Sequence, residues 1–117
     1  MRDPRVDEYA RLLVRRCIGA QEGWQVSIRA TALARPLVEA VLEELARVPA
    51  YPVLTLGFES IGGPFERVAP LEYVREAAPL QRRIWEEADA FITIWAPEST
   101  VEGSTCRRSV GPRSRRG

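Results

Sequence analysis

The 117 residues carry a formal net charge of +1, with 45% hydrophobic and 28% charged side chains, the balance of an ordinary globular domain. Histidine is absent, and with it the usual acid–base group near neutral pH and the commonest metal ligand. Lysine is absent too, so all seventeen cations are arginines, which stay protonated and form no Schiff base. Imidazole-dependent hydrolysis and amine chemistry are thereby excluded, leaving carboxylates, hydroxyls, tyrosines and two cysteines.

Asp3 before Pro4 predicts a helix start, an N-cap acceptor followed by a proline whose missing N–H costs nothing there. Val6, Tyr9, Ala10, Leu13, Val14 and Cys17 then fall on one helical face, and Gly19 stops the run. Residues 24–29 alternate apolar and polar, the period of a strand with one covered face. A second helix opens near Pro36, with Leu37, Val38, Val41, Leu42 and Leu45 inward and Glu39, Glu43, Glu44 and Arg47 outward.

Residues 51–56 read as a second strand. Glycines and prolines punctuate residues 57–79, which predicts loop with at most a short helix over 71–78. Leu80, Ile84 and Ala88 predict a helix ending near Asp89, and the almost wholly apolar residues 90–96 predict a strand covered on both faces. The expected fold is therefore a small three-layer α/β domain with a βαβαβ pattern, a short, mainly parallel sheet and an N-terminal helix covering one face.

Residues 1–98 are expected to form this domain, and residues 99–117, poor in aliphatics, a disordered Arg/Ser/Gly tail. Charge divides the same way. Residues 1–100 hold twelve arginines against fifteen carboxylates, and residues 101–117 hold five against Glu102 alone. Arginine clusters neutralise phosphates, but this one lacks aromatics and scaffold, so nucleic acid is not the expected partner. With neither an apolar signal core nor a run of ~20 apolar residues, no membrane partner is expected and the cytoplasm is the expected location. Cys17 reads as a core thiol and Cys106 as a tail residue. A bond between them stays open, although two unpatterned cysteines suit a reducing compartment better.

Ligands of open α/β sheets sit beyond the carboxyl ends of the strands. That places Thr31, Glu59 and Glu98 on a candidate rim, with Arg29 or Arg35 near an anion; the plainer reading, turn cap and solvated glutamates, is preferred. Gly57, Gly62 and Gly63 have the wrong spacing for a phosphate cradle. Glu86, Glu87 and Asp89 could hold a hard cation, but a wet helix end is the simpler account. Trp24, Trp85 and Trp95 read as core or interface rather than a base-stacking platform, and loss of a partner domain would leave Trp95, Ile92 or Trp24 on an apolar patch.

The order and spacing of several packing motifs carry a resemblance. They are the run 3–13 (DPRVDEYARLL), Gly23-Trp24-Gln25-Val26, the run 33–38 (LARPLV), Ala50-Tyr51-Pro52, the run 86–92 (EEADAFI) and Ala96-Pro97-Glu98. Over residues 3–99 the chain resembles the N-terminal region of the thermophilic metallo-aminopeptidases, which include aminopeptidase T, aminopeptidase S and leucyl aminopeptidase-like proteins. The resemblance implies dimeric exopeptidases with two divalent metal ions, held by Glu, His, Tyr and Asp side chains in a C-terminal half. No position here matches those ligands, so no catalytic, cofactor-binding or metal residue is carried over.

The expectation is an N-terminal fragment of such an aminopeptidase, inactive alone, whose partners would be the missing catalytic domain, a second copy, and peptide only in the intact enzyme. The loss of periodicity after Ser99 suggests a frameshift or truncation. The alternative is a free-standing ligand-binding or protein-interaction module.

Overall fold

In the computed structural model, which describes residues 3–57, 63–95 and 104–108, the first helix starts as its capping residues require. Asp3 is extended and its carboxylate accepts from Arg5 N, with Pro4 next in line. Helix α1 (Pro4–Arg11) continues as a π-helical segment through Leu12–Cys17. Gly19 ends it with φ at +59°, and a Cβ there would meet the Arg108 guanidinium at 2.7 Å, so glycine serves both the turn and the close approach.

Strand β1 (Gln25–Thr31) follows, then a short 3₁₀ turn and helix α2 (Arg35–Arg47). Strand β2 (Tyr51–Gly57) leads to two short helices, α3 (Gly63–Val68) and α4 (Leu71–Arg75). Helix α5 (Pro79–Glu87) then precedes β3 (Ala90–Ile94). The strands lie in the order β2-β1-β3 and all three are parallel.

The chain steps from β1 to one edge and then returns past it to β3. Right-handed crossovers in opposite lateral directions must lie on opposite faces of the sheet. Accordingly, α1 and α2 cover the face bearing Val26, Ile28, Ala30, Ala90, Ile92 and Ile94, and these residues share one core with Leu13, Val14, Val38, Val41 and Leu45. On the other face Leu80 and Ile84 of α5, with Ala88 just after it, border a groove beside Gln25 and Val53.

That second layer is thin, which corrects the expectation of a third strand covered on both sides. Phe91 is half-buried and Thr93 exposed, because α5 reaches only the amino-terminal part of this face. Of the three residues expected on an apolar patch, Ile92 is fully buried and Trp24 half-buried against the core, whereas Trp95 is exposed.

A larger difference lies in the tail. Its residues Ser104–Arg108 form β4, antiparallel to β3. The expected disorder therefore gives way there, and the rest of residues 99–117 lies outside the described residues. Cys106 stands opposite Ile92, packs against the core and is disulfide-bonded to Cys17. Cys17 is exposed rather than buried, because the π-helical widening moves it off the predicted apolar face. Arg108 Nε donates to Ile18 O at 2.9 Å, and the Arg107 guanidinium lies 4.4 Å from the Phe91 ring centroid.

Glu44, expected on the wet side of α2, is buried between α2 and α1. Arg15 Nε donates to its Oε2 at 2.8 Å and Arg47 Nη1 to its Oε1 at 3.0 Å. Burial pushes the Glu44 carboxyl upward, but the Arg15 and Arg47 hydrogen bonds outweigh it and hold the group below the usual carboxylate range. A depressed folded value means stability present above about pH 4.3, the unfolded value, and lost as pH falls through the folded one.

Glu44→Gln is expected to cost about 1–3 kcal/mol at pH 7, less than a fully buried pair because both arginines can rehydrate. The variant should also lose less stability than the parent between pH 5 and pH 2. Thermal unfolding across that range checks both, and parallel pH curves would contradict the assignment.

Candidate functional site

At the carboxyl end of the sheet, β1 passes the chain towards β2 on one edge, while β3 lies nearest β4 on the other. The region beyond the carboxyl ends of parallel strands is the usual ligand position in open α/β sheets. A cavity of about 300 Å³ opens there, lined by residues that include Arg29, Thr31, Thr55, Leu56, Thr93 and Trp95.

The parallel register explains its chemistry. Arg29 stands directly opposite Thr55 on one neighbour and Thr93 on the other, so the three share the face away from the main core. All three are exposed, as is Trp95, which follows Thr93 by two positions on the same face and supplies apolar wall. No carboxylate is among the described lining residues, and Arg29 forms no ion pair among the described residues. Such an arrangement can hold an oxyanion through charge-assisted hydrogen bonds.

The sequence-derived rim is thus realised in part. Arg29 and Thr31 reach the crevice, whereas Glu59 and Glu98 lie outside the described residues. Arg35 does not line it. Its Nε donates to Glu39 Oε2 at 2.8 Å across one turn of α2. Thr31 precedes the 3₁₀ turn Ala32–Ala34 but gives it no side-chain cap. Thr55 and Thr93 were missed, and the available signal was the alternation of polar residues at positions 27, 29 and 31, with a single threonine inside each of the apolar runs 52–56 and 90–95.

The Glu86–Asp89 cluster resolves differently. Asp89 is buried, and its Oδ2 accepts from Gln25 N at 2.8 Å while its own N–H donates to Gln25 O, so the residue ties the start of β3 to β1. Glu86 and Glu87 remain exposed. Trp85 and Trp95 are both about half exposed and sit on different elements, α5 and the end of β3. Among the described residues, no helix is long and apolar enough to cross a membrane.

Fold and crevice together define an open α/β unit wound on both faces of its sheet, a class that hosts many unrelated chemistries. A family model for the thermophilic metalloproteases (M29) matches residues 2–114. The chain belongs to that family. The match continues past Ser99 through β4, so kinship does not end where hydrophobic periodicity does. None of the curated proteins matches the chain.

Metal dependence is a property of this family, and the donor set can be tested against it. No group of three or more Cys, His, Asp or Glu residues placed to hold a metal ion occurs among the described residues. The carboxylates best fixed by the fold are already engaged: Asp3 by Arg5, Glu39 by Arg35, Glu44 by Arg15 and Arg47, and Asp89 by the Gln25 amide. The described residues do not fit a hydrolytic metal centre, and no catalytic step is derived through one.

Proposed function

We propose that this chain is the N-terminal α/β unit of a metal-dependent aminopeptidase, shaping the substrate cavity while side chains outside it hold the hydrolytic ions. The reading is supported chiefly by the family match to metalloproteases over residues 2–114. The donor chemistry agrees with it, since the sequence contains no histidine and the fixed carboxylates serve the fold. A second copy, peptide bound only by the assembled enzyme and a cytoplasmic setting belong to the same proposal.

The open crevice at the sheet's carboxyl end also favours the second reading, a binding module, and activity separates the two from an enzyme. The purified 117-residue chain, stripped of metal and then supplied with zinc, cobalt or magnesium, should release no more leucine from leucine amide than buffer with the same ion. Repeated turnover that co-purifies with the chain and disappears with a chelator would overturn the proposal.

A further inference from the structure

We propose that the crevice at the carboxyl end of the sheet binds a small carboxylic acid with an apolar body, with Arg29 as its anion anchor and Thr55 and Thr93 as flanking donors. Arg29 projects from the central strand, which is held by a ladder on both sides, so its base is fixed to within the precision of the sheet. Neighbouring strands lie ~4.8 Å apart, so the two hydroxyls flank the guanidinium base at that spacing. Threonine is stiff at χ1, which limits the entropy lost when each hydroxyl donates.

A guanidinium presents a planar fork that matches two carboxylate oxygens, and none of the described lining residues supplies a competing carboxylate. Arg107 lies on the same face, over Phe91, and adds positive potential along the sheet. The remaining wall decides the ligand class. Trp95 is half exposed and would stay wet over a bare inorganic anion, whereas an aliphatic acid would cover it. About 300 Å³ is at the lower end of small-molecule sites, room for a ligand the size of an acylated amino acid.

The inference concerns binding by this chain alone and does not depend on the peptidase reading; either can fail while the other stands. The test is a titration of the full chain, followed by backbone amide shifts at residues 29, 55 and 93, with N-acetyl-leucine, N-acetyl-leucinamide and inorganic phosphate. N-acetyl-leucine is expected to saturate in the millimolar range, with the amide and phosphate each at least tenfold weaker. Arg29→Gln should weaken the acid at least tenfold, and Arg29→Lys, which keeps charge but loses the fork, by an intermediate factor. Thr55→Val with Thr93→Val should cost several-fold.

Arg29 is exposed, so far-UV dichroism of its variants should match the parent, and Arg29→Lys keeps the test open if the glutamine variant unfolds. Equal binding of acid and amide, of acid and phosphate, or of parent and Arg29→Gln would each overturn the proposal, as would no binding at 20-fold the millimolar scale.

Discussion

Ile92→Ala is expected to lower the stability of the domain by about 3–4 kcal/mol, within the range of ~2–5 kcal/mol measured for large-to-small core changes. Ile92 is fully buried, stands opposite Ile28 on β1 and Cys106 on β4, and faces the helices α1 and α2. Truncation removes its transfer free energy and leaves a cavity that strands fixed on both sides cannot collapse to fill. A domain of this size holds only ~5–15 kcal/mol in total, so the loss is a large fraction. Urea unfolding should show a midpoint about 1 M or more below the parent with an unchanged slope. A midpoint within a few tenths molar would mean that Ile92 is not at the centre of the core.

Cys106→Ser should cost about 2–4 kcal/mol, and reduction of the parent should cost the same. The bond to Cys17 joins residues separated by 89 positions, enclosing almost the whole domain. Loop-closure entropy for that length gives an upper figure of ~4–5 kcal/mol, and measured disulfides usually deliver ~2–4 kcal/mol. Cys17 is exposed, so a dithiol reductant reaches the bond without prior unfolding. Unfolding with and without reductant checks this: the parent should shift, Cys106→Ser should not, and Cys17→Ser should match Cys106→Ser. Indifference of the parent to reductant would show that the bond does not contribute.

The elements that sequence periodicity could place are those whose evidence is local. Asp3-Pro4 starts α1, Leu80 and Ile84 mark α5, and the even-numbered residues of β1 fill the core as alternation implies. The misplaced residues share a different cause. Glu44 sits on the polar side of α2 by pattern, yet the π-helical continuation of α1 supplies Arg15 to that side, so burial there becomes favourable only when the two segments meet. Cys17 leaves its predicted face because the helix widens. Residues 104–108 read as disordered because five residues with one half-buried cysteine offer little core of their own. Their strand exists through partners up to 90 positions away, namely Phe91, Ile92, Cys17 and Ile18.

The candidate site shows the same division. Arg29 and Thr31 were legible because the end of a predicted strand is a local property. Thr55 and Thr93 were not, because only the inter-strand register sets them beside Arg29. By itself the sequence determined the order of the strands and longer helices, the core-facing positions of β1 and the lack of imidazole chemistry, since each follows from residue type and short-range spacing. Tertiary structure alone decided the opposite faces of α2 and α5, the antiparallel β4 with its disulfide, the ion-paired burial of Glu44 and the Thr-Arg-Thr row. Each of these depends on contacts between segments far apart in the chain, whose free energy appears only once the intervening loops have closed.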